Sequence, residues 1–116
     1  MAFTDHEIAK HSGLIEKLLW YRRRPPLRLR DKIREGQRVV GHTIEFFYVR
    51  PRFDQPGRMI EESFAKVQYV RSRHVWRLYW MRADGKWHGY PERREVKTLA
   101  AALRLIDEDA CHCFFG

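Results

Sequence analysis

The sequence predicts an α+β domain: an N-terminal helix, a five-stranded antiparallel meander and a C-terminal helix packed on one face of the sheet. Three observations carry this expectation. Apolar residues recur at helical spacing near both ends of the chain. Between them the period becomes that of strands, with β-branched and aromatic residues gathered between turn signals. Finally, 116 residues with 44% apolar and 33% charged content suit one core, so residues 1–116 are expected to form a single domain.

Thr4 followed by Glu7 is a capping box, and Ile8, His11, Ile15, Leu18, Leu19 and Arg22 continue it as a helix over about 5–21. Arg22, Arg23 and Arg24 favour its C-terminus, and Pro25 and Pro26 forbid continuation. Strands are expected over about 31–40, 43–50, 63–70, 75–82 and 87–91. The first hairpin turns at Gly41-His42, placing Val39 opposite Ile44 and Arg38 opposite Glu45. Pro51, Asp54, Pro56 and Gly57 then mark a loop of about a dozen residues, long for a small domain.

A four-residue loop at Arg71 to His74 would set Val70 against Val75, Tyr69 against Trp76, Val67 against Leu78 and Ala65 against Trp80. Asp84-Gly85, taken as a two-residue turn, would set Arg82 against Trp87, Trp80 against Gly89 and Tyr79 against Tyr90. Together these registers put Ala65, Val67, Tyr69, Trp76, Leu78, Trp80 and Trp87 on the core face. The opposite face would carry Lys66, Gln68, Arg77, Tyr79, Met81, His88 and Tyr90. Thr98 caps a second helix over about 98–108, with Leu99, Ala102, Leu103 and Ile106 as its apolar stripe. Asp107, Glu108 and Asp109 oppose its dipole, so they should lie past the last turn or answer nearby arginines. The apolar end Phe114-Phe115-Gly116 should dock on the domain or on a partner.

The formal charge is +8, from 23 Lys and Arg against 15 Asp and Glu. No run approaches the ~18 apolar residues of a membrane span, and Asp5, Glu7, Lys10 and Glu16 interrupt any signal-like stretch. A cytoplasmic protein that does not enter membranes is expected. Cys111 and Cys113 flank a single residue, a spacing that strains an internal disulfide, so reduced thiols are expected. Cys-His-Cys does not complete a tetrahedral site, and neither a metal nor a cofactor is expected.

The second half resembles a bacterial family known as domain of unknown function 3024. The residues that carry the likeness are Val75-Trp76-Arg77-Leu78-Tyr79-Trp80, Asp84-Gly85-Lys86-Trp87-His88-Gly89-Tyr90, Leu99 to Asp109 and Phe114-Phe115-Gly116. Val49-Arg50-Pro51-Arg52-Phe53 and Phe64-Ala65-Lys66-Val67-Gln68-Tyr69 are also similar to that family. The resemblance covers roughly residues 31 to 116, and implies a fold and a bacterial cytosolic setting without a function. This chain departs from the family pattern at Tyr48, where an acid is usual, and at Ala110 and Phe115, where proline and tryptophan are usual.

Four constellations are candidates for function. The segment from Arg22 to Arg38 holds Arg22, Arg23, Arg24, Arg28, Arg30, Lys32, Arg34 and Arg38 against Asp31 and Glu35, most of the net charge in one stretch. Guanidinium forks pair with phosphate, which makes nucleic acid or another polyanion the leading ligand class. A solvated basic turn is the simpler reading, and no RNP-like, zinc-finger or helix-turn-helix signature accompanies the run. Arg77, Tyr79, His88 and Tyr90 form the second constellation, able to contact bases or, with His88 as general base, to do chemistry. An exposed mixed face covered by a helix or a second copy is its alternative. Arg50 and Arg52 bracket Pro51 and could grip an anion, or Asp54 could simply pair with one of them. The clustered Trp76, Trp80 and Trp87 read as core rather than as a stacking platform. With no paired-carboxylate, nucleophile-elbow or phosphate-loop motif, the sequence leans away from catalysis. The leading expectation is a non-catalytic polyanion-binding module. The alternatives are a homo-oligomeric adaptor, such as a homodimer, and a small enzyme using His88.

Overall fold

The computed structural model describes residues 2–115; Met1 and the terminal Gly116 of the expected apolar tail lie outside the described residues. The fold is α+β, as the periodicities predict. The N-terminal helix opens at Asp5–Ile15, with Thr4 Oγ1 accepting from the Glu7 amide at 3.1 Å and Glu7 Oε1 accepting from the Thr4 amide at 2.9 Å. It then widens into a π turn at Glu16–Trp20 and closes with an α turn at Tyr21–Arg23, immediately before the two prolines. A 3-10 turn, Leu27–Leu29, leads into the sheet.

Six strands follow: β1 (Arg34–Val40), β2 (Thr43–Pro51), β3 (Met59–Val70), β4 (Val75–Met81), β5 (Trp87–Gly89) and β6 (Glu95–Val96). The sheet runs β1-β2-β3-β4-β5 antiparallel, with β6 also paired to β4. The C-terminal helix, Leu99–Glu108, is capped by Thr98 Oγ1, which accepts from the Ala101 amide at 3.1 Å. Among the described residues, no helix is long and apolar enough to cross a membrane.

Two expected registers hold. Val39 faces Ile44 and Arg38 faces Glu45 around Gly41, whose φ of 61° a glycine adopts without strain. Val70 to Ala65 pair with Val75 to Trp80 as derived. The third does not hold. Tyr79 faces Gly89, Trp80 faces His88 and Met81 faces Trp87, one residue away from expectation. The reason lies in the turn: the Arg82 amide donates to the Lys86 carbonyl at 3.1 Å, closing a three-residue loop with Gly85 at φ 76°. Such a left-handed third residue is the usual partner of a three-residue hairpin. A shift of one residue swaps the faces of every side chain after it. Trp87 therefore leaves the core face, whereas His88 moves to the side of Trp80 and Tyr90 becomes fully buried.

The remaining boundaries differ modestly. The first strand begins at Arg34 instead of 31, because the segment before it forms a turn. The third begins at Met59 rather than 63, which shortens the expected long loop to residues 52–58. Between Phe46 and Phe47 the β2–β3 register shifts, so Phe46 faces Ala65 and Phe47 faces Ser63. That bulge leaves Phe64 as an extra residue, and Phe64 and Ala65 are both buried.

Both helices cover the same side of the sheet. Ile15, Leu19 and Trp20 from the first, and Leu99, Ala102, Leu103 and Ile106 from the last, close over Ile44, Phe46, Val67, Trp76 and Leu78. Asp109 ends the last helix in the left-handed region, and its buried carboxylate accepts from the amides of Phe114 at 2.9 Å and Phe115 at 3.0 Å. Phe114 then packs on Tyr90, and Phe115 packs on Phe64 beneath the Arg23 guanidinium. The expected reduced thiols are corrected too: Cys111 and Cys113 are joined as a disulfide. With His112 at φ 56°, the tight turn brings their α-carbons to 5.4 Å, within bridging range.

Candidate nucleic-acid interface

The arginine-rich segment is mostly answered from within the chain. Arg22 donates to Asp107 at 2.8 Å and Arg23 to the same carboxylate at 3.0 Å. Arg24 bridges Glu16 and Glu35, and Arg30 reaches Glu35 at 2.8 Å. Arg38 pairs with Glu61, and Arg34 donates to the Arg30 carbonyl. Among the described residues, Arg28, Lys32 and Arg34 make no ion pair. Arg50 pairs with Glu62 and Arg52 with Asp54 at 2.7 Å, the latter as the simpler reading of that turn expected. Sequence neighbourhood concentrated these cations, but folding brought acids from remote segments to them.

Arg22, Arg23, Arg24 and Arg50 do meet, around a cleft of about 430 Å³ beside Tyr48 and Phe115. Burial pushes the Tyr48 phenol up to about 12, and its hydroxyl donates to the Arg23 carbonyl at 2.7 Å, so it serves to hold the helix end on the sheet. Glu35 pairs across the strands with Tyr48 and bonds Arg24. Burial alone would raise its carboxyl, but hydrogen bonds from Arg24 and Arg30 outweigh that and hold it below the ordinary 4.5. A depressed folded value means that the stabilisation is present above the unfolded value and is lost as pH falls through the folded one. Thermal melts from about pH 5 down to about pH 3 should therefore show a steeper loss for the native chain than for Glu35→Gln, whose melting temperature starts lower at neutral pH.

The second constellation is divided by the corrected hairpin. Tyr90 lies in the core, and burial raises its phenol above the ordinary tyrosine value. His88 points to the helix side of the sheet, with Nε2 2.9 Å from Asp84 Oδ2. Neither lies on the sheet face that carries Tyr79. Tyr79 and Arg77 stay on the uncovered face, where Tyr79 donates to Gln68 Oε1 at 3.2 Å and Arg77 lies 3.3 Å from Glu95.

Two residues missing from the sequence-based set complete that face. Trp87, turned outward by the three-residue loop, and Tyr79 flank Lys66, whose Nζ is 4.8 Å from the Trp87 ring centre and 5.0 Å from that of Tyr79. Burial among these groups holds the Lys66 ammonium below the ordinary lysine value. Beside them is a hollow of about 330 Å³ lined by Arg77, Tyr79, Gly89, Arg94 and Glu95. This is at the small end of the ~300–1,000 Å³ typical of ligand sites. A β-carbon added to Gly89 would lie 3.5 Å from Arg94 Nε, which shows how closely that guanidinium passes over the strand. Lys66 and Arg94 make no ion pair among the described residues. Alternation already placed Lys66 on this face without making it a site residue, but Trp87 was legible only with the correct turn length.

The architecture is therefore that of a small α+β protein with one sheet face packed and the other open. The pattern of a described family, domain of unknown function (DUF3024), matches residues 3–116, and the chain belongs to that family. The match takes in the N-terminal helix, beyond the extent of the resemblance read from the sequence. No match was found among curated proteins or among solved structures.

Proposed function

We propose that this protein is a non-catalytic binding module for single-stranded nucleic acid, and that the open sheet face is its contact surface. The observation that carries the reading is the placement of Lys66 between Tyr79 and Trp87 on a face that no helix covers, next to the hollow over Gly89. Aromatic rings on an open sheet stack on unpaired bases regardless of sequence, and adjacent cations hold the phosphates. A half-buried cation–π contact contributes about 0.5–2 kcal/mol, within reach of the about 1–3 kcal/mol of a stacked base, so a base can displace the Lys66 ammonium from the rings toward a phosphate. Three observations favour this reading over an adaptor or a small enzyme. Phe114 and Phe115 dock within the chain, Asp107 answers Arg22 and Arg23 of the same chain, and His88 stands apart from both tyrosines.

Fluorescence anisotropy with oligo-dT tests this. Trp87→Ala should weaken binding by the stacking of one base, about 1–3 kcal/mol, with little change in melting temperature because Trp87 is only half-buried. Polyphosphate, which offers charge without bases, should bind the native chain and Trp87→Ala alike. Oligo-dT binding that ignores the Trp87 substitution would refute the assignment.

A further inference from the structure

The hollow over Gly89 does not end at Glu95. On the far side of that residue a second groove, of about 550 Å³, runs between β6 and the C-terminal helix. Its floor is Val75, Val96, Ala101 and Leu105, and its rim carries Arg93, Lys97 and Arg104. None of these three cations makes an ion pair among the described residues, in contrast to Arg22, Arg23, Arg24, Arg30 and Arg38. Of the two acids lining the groove, Glu95 is already committed to Arg73 at 2.8 Å and to Arg77 at 3.3 Å. Those guanidiniums hold its carboxyl below the ordinary glutamate value, hydrogen bonding from Arg73 first. Cations without an ion pair among the described residues thus stand at both hollows that share Glu95: Arg94 at the open face near Lys66, and Arg93, Lys97 and Arg104 at the groove, where Glu108 is the remaining acid.

We infer that the groove at Arg93, Lys97 and Arg104 is a second backbone-binding segment of the nucleic-acid site, which receives the phosphates that follow the stacked bases. This rests on the reading of the open face given above. The chemistry suits a phosphodiester chain: cations at intervals along a shallow channel and an apolar floor against which a sugar or base can lie. The ligand is thereby specified as a single strand long enough to turn the β6 edge, because a trinucleotide would be held by the open face alone.

Salt dependence separates the two segments, since log affinity for a single strand falls with log salt at a slope of about −0.7 for each phosphate neutralised. With Lys66 and Arg94 engaged at the open face, dT3, which has two phosphodiesters, should show a slope of about −1.4. With the three groove cations added, dT9 should approach about −3.5 and bind more tightly. Lys97→Glu with Arg104→Glu should return dT9 to the slope and affinity of dT3 while leaving dT3 itself unchanged. Both side chains are exposed, so the fold should persist, and the milder pair Lys97→Gln with Arg104→Gln should show a smaller effect in the same direction. If dT9 is no steeper in salt than dT3, or the charge reversals leave dT9 untouched, the second segment is refuted and the open-face reading stands. If neither oligonucleotide binds the native chain, the open-face reading is refuted and the second segment with it.

Discussion

Trp20→Ala is expected to lower the unfolding free energy by about 3–5 kcal/mol, the range for removing a buried aromatic side chain. Trp20 is 3% exposed and lies where the π turn of the first helix meets the bulged part of the sheet. Its ring meets Phe46, Tyr48 and Phe64 edge-on, with centroids 6.1, 5.8 and 6.0 Å away. Its Nε1 donates to Gln37 Oε1 at 2.9 Å, tying the helix to the edge strand. Alanine would remove these contacts and leave the Gln37 amide without its partner. Against a total stability of about 5–15 kcal/mol for a domain, the variant should be marginal. Trp20→Phe, which keeps a ring and loses the hydrogen bond, should cost much less. Urea denaturation of the three proteins measures both; equal midpoints for Trp20→Ala and the native chain would contradict this account of the core.

The second large effect is expected at Asp109, which is 6% exposed. Its φ of 46° lies in the left-handed region that aspartate and asparagine tolerate better than other non-glycine residues. Its two carboxylate oxygens hold the Phe114 and Phe115 amides. Asp109→Ala adds left-handed strain of about 1–2 kcal/mol to about 1–3 kcal/mol for buried amides without acceptors. Asp109→Asn keeps the backbone tolerance and one carbonyl acceptor, so it should be affected less. The tail should loosen first. Hydrogen exchange at the Phe114 and Phe115 amides should accelerate in Asp109→Ala before the sheet is affected, and unchanged protection there would contradict the assignment.

These two residues differ in how far the sequence revealed them. Trp20 lies two positions past Leu18 and next to Leu19 on a recognisable apolar stripe, so helical spacing brings it close to the core. Asp109 belongs to an acidic run, and nothing local separates it from Asp107, which faces two arginines, or from exposed Glu108. Only the reversal of the chain after the helix decides that one acid is buried. The same contrast runs through the sheet. Gly41-His42 and the four residues Arg71 to His74 each closed as local turn chemistry predicts, and the adjoining pairings followed. Asp84-Gly85 suits a two-residue or a three-residue turn, because glycine supplies the positive φ that either requires. Pattern does not choose between them when Trp87, His88 and Tyr90 are all amphipathic and either face accepts them. The pairing of the charged run at Arg22 to Arg38 was not legible for a different reason: its partners Glu61 and Asp107 lie on a strand and a helix that meet it only in the fold.

The most direct measurement is a titration of the ¹⁵N-labelled protein with oligo-dT, following the four tryptophan indole signals together with the backbone amides. Binding on the open face predicts that the Trp87 indole and the amides of Lys66, Tyr79 and Gly89 shift, whereas the buried Trp20 and Trp76 indoles stay in place. Shifts confined to Arg22, Arg23, Arg24 and Tyr48, or none at saturating oligonucleotide, would contradict it.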